Sequence, residues 1–166
     1  MKVYLTGIIM LLFAGAVSSQ VVFNAPTGNL IIAFPDTPTV QKQEMEVTEM
    51  DVVMYSYSLS LDTASYFVSE VTYPTSFDAG SDMHAVLDRA ASGFFEEFDM
   101  VSSAATTVYC GSIEGAEYKQ KNEMFGITYR VFFWKNTLIQ IGVMGYGDYL
   151  SDSDLRKFFS GIKINL

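Results

Sequence analysis

The sequence predicts an α+β domain: an antiparallel β-sheet with one main amphipathic helix and a short C-terminal helix packed on it. Residues 51–61 alternate apolar and polar side chains, as a strand with one buried face does. Residues 82–98 change to a helical period. From residue 106 the chain returns to strand-like segments and ends with a short helical one. Elements of these kinds bury their apolar faces against one another in a layered domain.

The first nineteen residues have the order of a secretory signal peptide. Lys2 precedes an apolar run from Ile8 to Phe13, and small residues follow up to Ser19. A membrane-spanning helix needs about 20 consecutive apolar residues, which this run does not supply. We therefore expect cleavage near Ser19, export to the periplasm or the extracellular space, and a single domain at 20–166 without a membrane span.

The mature chain is acidic. With Lys2 removed it carries 9 Lys and Arg against 19 Asp and Glu, a net charge of −10. This charge repels nucleic-acid phosphates and anionic lipid head groups, so we expect neither as a partner. Solubility of an exported protein and recruitment of a cationic partner are the two interpretations of the excess. The 49% hydrophobic content excludes intrinsic disorder.

Four strands are predicted before the main helix, at 30–34, 39–47, 51–61 and 65–73. Pro35 and Pro38 close the first strand, because proline has a fixed φ and no N–H donor. In the third strand Tyr55 and Tyr57 share a face and the intervening serines share the other. One face of this strand should therefore be inside the protein and the other largely in water.

The main helix is predicted at 82–98, with Ser81 as its N-cap. Its apolar stripe is Met83, Val86, Leu87, Ala90, Ala91, Phe94 and Phe98. A stripe with two phenylalanines needs an extended apolar surface, so we expect the helix to lie across the sheet.

Further strands are predicted at 106–113, 117–119, 125–134 and 139–145. A last helix at 152–160 begins after Ser151 and ends at Gly161, because a Ser-x-x-Asp start and a terminal glycine are typical of helix ends. Residues 162–166 form a final strand or a docked tail.

The turn between the last two long strands decides their register. A three-residue loop at 134–136 pairs Val131 with Ile139, apolar with apolar, and places an asparagine where a left-handed residue is wanted. A two-residue loop at 135–136 pairs Val131 with Gln140, apolar with polar. We therefore predict the three-residue loop.

The predicted register places Arg130, Phe132 and Gln140 together on a semi-polar face of the sheet, where a second layer or a ligand could cover them. Three aromatic side chains lie in or near predicted turns, where exposed aromatics serve recognition. The predicted contact surface consists of Trp134, Tyr146, Tyr149, Arg130 and Phe132.

The predicted elements follow a recognisable order. A strand with a proline turn at 34–38 is followed by an alternating strand around Tyr57, a single central helix, a hairpin at 129–132 and the ending at 158–162. This order resembles the PsbP-like superfamily, which includes exported bacterial DcrB-like domains. The resemblance covers most of the mature chain and is one of spacing and hydrophobic pattern. It implies an antiparallel sheet with packed helices and a binding or assembly role, and it supplies no active-site residues.

The residues that carry catalysis in other proteins are sparse here. His84 is the only histidine, and it lacks a Gly-x-Ser-x-Gly motif and the further ligands that a zinc site needs. Cys110 is the only cysteine, so it forms no internal disulfide. A buried inert thiol, a pairing between two chains and a nucleophile are the interpretations of Cys110.

Two acidic segments offer oxygen ligands. Asp148, Asp152 and Asp154 could bind calcium, although acids in the first turn of a helix also meet its positive dipole end. The acids of residues 44–51 could serve glycoside hydrolysis, although alternation along an exposed strand explains them equally. We predict no catalytic, metal or cofactor site.

The function predicted from the sequence is a non-enzymatic exported binding or assembly module for a protein or a small apolar ligand. The alternative is a cell-envelope enzyme that uses carboxylates or a metal ion, which requires a cleft gathering the acids of 44–51 and 148–154. An aromatic-lined pocket on the face of Arg130, Phe132 and Gln140 favours a small-molecule or peptide ligand, whereas a flat, filled face favours protein assembly through the loops.

Overall fold

The computed structural model describes residues 20–47, 50–74 and 82–165, and the predicted signal peptide lies outside them. The strands of the described part are β1 (Val21–Asn24), β2 (Leu30–Phe34), β3 (Thr39–Val47), β4 (Met50–Ser60), β5 (Ala64–Thr72), β6 (Thr106–Cys110), β7 (Ile113–Lys121), β8 (Phe125–Trp134), β9 (Thr137–Tyr146) and β10 (Ile162–Ile164). Its helices are α1 (Met83–Glu96) and α2 (Asp152–Ser160). Neither helix is long and apolar enough to cross a membrane.

The strands form two antiparallel sheets. The larger has the order β3-β4-β5-β9-β8-β7-β6, and the smaller has the order β1-β2-β10. Every pairing in both sheets is antiparallel. The predicted α+β class, an antiparallel sheet with helices packed on it, is confirmed.

The large sheet is covered on both faces. On one face, α1 packs its buried Leu87, Ala91 and Phe95 against β7 and β8, as the predicted position of the helix across the sheet requires. On the other face, the small sheet and α2 pack against β4, β5, β8 and β9, where Phe158 of α2 lies edge-on to Tyr66 at 4.9 Å. The central strands are therefore apolar on both sides, as in a three-layer domain.

The ends of α1 differ from the prediction. Asp82, not Ser81, is the N-cap, and its carboxylate accepts a hydrogen bond from the N–H of Ala85. The helix ends at Glu96 instead of residue 98. Phe95 is fully buried although the predicted stripe omitted it, because it continues the row of buried residues at four-residue spacing that Leu87 and Ala91 begin.

The predicted three-residue loop between β8 and β9 is wrong. The strands are joined by a two-residue turn at 135–136, and Val131 pairs with Gln140. Lys135 takes a left-handed conformation with φ 57°, as such tight hairpin turns require. Matching apolar with apolar residues misled the prediction, because both faces of these strands are covered and alternation no longer distinguishes inside from outside.

The true register separates residues that we expected on one face. Gln140 lies on the α1 face, where its amide oxygen accepts a hydrogen bond from the Tyr129 hydroxyl at 2.8 Å. Arg130 and Phe132 lie on the opposite face with Ile141. The cost of placing an amide within the sheet is thereby offset by a hydrogen bond.

The remaining boundaries follow the sequence closely, with two exceptions. The predicted strand at 106–113 is interrupted at Gly111, whose φ of 62° turns the chain into the longer β7. β1 was not predicted, because its four residues give too short a pattern. The C-terminal helix has the expected caps, with Ser151 accepting from the N–H of Asp154 and Gly161 following its last turn.

A buried carboxylate connects the two sheets. Glu70 of β5 is fully buried and accepts hydrogen bonds from Tyr57 of β4 and from Thr27 in the β1–β2 turn, each at 2.7 Å. Burial, followed by the hydrogen bond to Glu70, raises the pKa of Tyr57 far above its usual range, so its hydroxyl stays a donor. The carboxylate thus holds the β1–β2 turn against the large sheet.

Replacing Glu70 with glutamine should lower the free energy of unfolding by about 1–3 kcal/mol, because the amide offers a single acceptor oxygen to two buried hydroxyls. Urea denaturation measures the change. Glu46→Gln is the matched control: Glu46 is exposed on β3, and its replacement should change stability by less than about 0.5 kcal/mol. Equal effects of the two substitutions would show that the Glu70 contacts do not stabilise the fold.

Two glycines should respond to alanine with opposite signs. A Cβ at Gly142 would collide with the ring of Phe67, which is confined by stacking on Phe94, so Gly142→Ala should cost about 1–3 kcal/mol. A Cβ at Gly93 in α1 would meet open space, so Gly93→Ala should stabilise the protein by about 0.5–1 kcal/mol. Urea denaturation of both variants tests the packing of α1 on the sheet, which is contradicted if Gly142→Ala is neutral.

Candidate functional site

A cavity of about 290 Å³ lies on the face of the large sheet opposite α1. Its walls are Phe132 of β8, Ile141 of β9, Phe159 of α2 and Ile162 of β10, and we call it the Arg130 cavity. Its remaining lining residues are Tyr109, Cys110, Gly111, Arg130, Ser160 and Lys163. The lining thus combines apolar and aromatic side chains with polar and charged ones, as ligand sites commonly do.

Arg130 is held in a fixed position. Its Nε donates to Glu117 on the neighbouring strand β7 at 2.7 Å, and its Cζ lies 3.9 Å from the centre of the Phe159 ring. The side chain of Arg130 is 25% exposed, so both contacts are partly shielded from water. Among the described residues, its two terminal nitrogens have no hydrogen-bond partner. They are available to a ligand.

Cys110 lies at the end of β6 and lines the same cavity. The thiol is half-buried and its Sγ lies 3.5 Å from the carbonyl oxygen of Ile162. Burial raises the pKa of this thiol, and the nearby charge of Arg130 opposes the rise only in part. Cys110 therefore stays protonated at neutral pH and contributes a neutral side chain to the lining of the cavity.

A second cavity of about 220 Å³ adjoins the first, since Arg130 and Phe159 line both. Lys119, Arg156 and Asp152 also line it, together with Thr128. The hydroxyl oxygen of Thr128 is buried and has no hydrogen-bond partner among the described residues. An unpaired buried hydroxyl beside a cavity is a position where water or a ligand atom can bind.

The structure divides the predicted contact surface. Arg130 and Phe132 lie together in the Arg130 cavity. Trp134 is half-buried against the core, so it is not the exposed turn aromatic that we expected. Tyr146 and Tyr149 are 44% and 37% exposed; Tyr146 is the last residue of β9 and Tyr149 follows it, at the other end of the strand from the Trp134 turn. The five residues therefore form no continuous surface.

Two of the three acids at 148–154 have a local role. Asp148 pairs with Lys121 at 2.8 Å, and this hydrogen bond holds the pKa of Asp148 below its usual range. Asp154 accepts from the hydroxyl of Ser151 in the capping arrangement of α2. Within the described ranges, no group of three or more His, Cys, Asp or Glu side chains could hold a metal ion.

The two acidic segments lie far apart. Glu44 and Glu46 belong to the edge strand β3, whereas Asp148 is bound to Lys121 on β7. Five inter-strand steps separate β3 from β7, which is about 24 Å at about 4.8 Å a step. The cleft that the carboxylate enzyme requires is therefore absent from the described part of the chain.

His84 lies on α1, the helix on the other face of the sheet from Cys110, and it is exposed. The two side chains therefore form no nucleophile–base pair.

Sequence reasoning missed most of the residues that line the Arg130 cavity. Nothing in the pattern of α2 placed Phe159 on Arg130. Lys163 and Tyr109 come from the short strand β10 and the edge strand β6, which meet only because the two sheets pack together. The residues of such a site are far apart in the sequence, so no local pattern reveals it.

No protein-family model, curated protein or solved structure matches the chain. The resemblance to the PsbP-like superfamily therefore stays a prediction from its hydrophobic pattern.

The raised pKa of Cys110 predicts a shifted pH profile for its alkylation by iodoacetamide. Because the thiolate is the reactive form, the rate in the folded protein should reach half its maximum at a higher pH than in the same chain unfolded in urea. The measurement is the rate of alkylation between about pH 7 and 10.5. Coincident midpoints for the folded and unfolded chains would contradict the buried position of the thiol.

Proposed function

We propose that this chain is an exported, non-enzymatic binding module that holds a small ligand in the Arg130 cavity. The observation that carries the proposal is a concave, aromatic-lined cavity on the sheet face of Arg130 and Phe132. A filled and flat face would have favoured protein assembly instead. The sequence predicted that a ligand could cover this face of the sheet, and the cavity lies on that face.

The cavity limits the size of the ligand. Its volume of about 290 Å³ is at the lower end of the range of about 300–1,000 Å³ that ligand pockets span. A compound with one or two rings fits such a space, and a long lipid chain or a folded protein segment does not. Phe132 and Phe159 contribute aromatic atoms to its lining, which suits an apolar ring.

The geometry argues against the enzymatic alternative. One of its acidic segments lies on β3 and the start of β4, and the other lies in the loop after β9 and the first turn of α2. The single thiol is protonated at neutral pH because burial raises its pKa. Among the described residues, no nucleophile and base lie together at a place where a substrate could bind. The Arg130 cavity instead brings apolar side chains together.

Export and family membership belong to the same proposal. The order of Lys2, an apolar run and small residues before residue 20 supports secretion through a signal peptide. A PsbP-like origin agrees with an antiparallel sheet that carries helices and with a binding role. Binding a small molecule outside the cytoplasm is the function that these features support together.

A test uses naphthylethanol, a neutral compound with two fused rings, and amide NMR spectra of the protein. We expect shifts of amides around the Arg130 cavity and a dissociation constant of about 0.1–1 mM. The compound should also slow alkylation of Cys110 several-fold, because the thiol lines the occupied space.

Two substitutions at Cys110 make the test specific. Cys110→Phe should fill the cavity and abolish the shifts, whereas Cys110→Ala leaves it open and should keep them. Ser160→Phe is a second filling variant at an exposed lining position, should Cys110→Phe fail to fold. Binding that survives both filling variants, or no binding to the native protein, would refute the proposal.

A further inference from the structure

Cations gather around the Arg130 cavity although the protein is acidic. Of the 10 Lys and Arg residues in the chain, four line the two adjoining cavities: Lys119, Arg130, Arg156 and Lys163. The 19 acidic residues contribute two members to the same lining, both in the second cavity. The site thus has a charge opposite to that of the protein as a whole, and such local fields select ligands by sign.

The Arg130 cavity itself contains cations without a carboxylate. Arg130 and Lys163 line it, and none of its lining residues is acidic. Glu117 binds Arg130 through Nε, which leaves both terminal nitrogens of the guanidinium unpaired among the described residues. Lys163 is exposed and forms no ion pair with any described residue. Positively charged donors without a protein partner beside apolar walls favour an anion over a neutral ligand.

The position of Arg130 makes it suited to bind such an anion. Its guanidinium plane is fixed by the Phe159 ring on one side and by Glu117 at Nε, so little side-chain entropy is lost on binding. Two parallel terminal N–H groups match the two oxygens of a carboxylate or of a phosphoryl or sulfonyl group. The nearby thiol is neutral and does not compete for Arg130.

We propose that the ligand of the Arg130 cavity is a small organic anion with a planar apolar body. The body occupies the cavity that Phe132 and Phe159 help to line, and the anionic group is bound by the terminal nitrogens of Arg130 with Lys163 beside them. This inference rests on the proposed function, since it names the chemical class of ligand for the same cavity.

The test compares naphthylacetate with naphthylethanol, two compounds that share a ring system and differ in a carboxylate or a hydroxyl group. We expect naphthylacetate to bind the native protein about tenfold more tightly at low salt. The preference should shrink when salt is raised from about 50 to about 500 mM, because ions screen the exposed part of the interaction. Dissociation constants come from amide NMR titrations.

Two lysines provide matched variants. Lys163→Gln should weaken naphthylacetate about threefold and leave naphthylethanol unchanged. Lys157→Gln removes the same charge from an exposed position on α2 that lines a different cavity, so it should change neither affinity. Neither substitution alters a buried contact, so both variants should fold.

The outcomes separate the two proposals. If naphthylethanol binds as tightly as naphthylacetate, or if Lys163→Gln and Lys157→Gln have equal effects, the anion proposal is overturned and the binding module stands. If neither compound binds the native protein, the proposed function itself fails.

Discussion

The rest of the structure depends on burial of the large sheet on both faces. β8 and β9 at its centre contact α1 on one side and the small sheet with α2 on the other. Strands in this position are apolar on both faces, so each layer must supply its own complementary surface. The stacked rings of Phe94 and Tyr129, 4.5 Å apart, show how closely α1 fits. Everything polar within the sheet then needs a partner.

One buried and two partly buried polar groups meet this requirement in different ways. Glu70 accepts two hydroxyl hydrogen bonds and joins the sheets. Gln140 accepts one from Tyr129 beneath α1. Arg130 combines an ion pair with a ring contact and still has two nitrogens without partners. Both carboxylate oxygens of Glu70 are paired, whereas the terminal nitrogens of Arg130 have no partner among the described residues. This incompletely bonded charge beside apolar walls is the basis of the proposed binding position.

The cavity lies where the elements of the second covering layer end. Ser160 at the end of α2, Lys163 of β10 and Gly111 of the β6–β7 turn line it. Phe132 and Ile141 form its floor and are themselves almost fully buried. Gly161, which follows α2, approaches Ala33 of β2 closely and fixes the position of this edge. The chemistry of the site thus follows from the architecture of the layer above it.

The sequence by itself determined the fold class and most elements, because these depend on local periodicity. The alternating strand around Tyr57, the helical stripe of α1 and the caps of α2 are all properties of neighbouring residues. It also identified Arg130 and Phe132 as members of one face. The prediction from sequence failed at the β8–β9 turn. Both faces of these strands are buried, so the wrong register paired more apolar residues with one another than the true register does.

Only the tertiary structure decided which side chains meet. Phe159 covers Arg130 and Lys163 stands beside the cavity because α2 and β10 fold back onto the sheet, and no local pattern records that approach. The same packing half-buries Trp134 against the core and places the acids of β3 far from those near α2. Periodicity depends on residues adjacent in the chain, whereas a site depends on distances between layers that are set by the packing of the whole core.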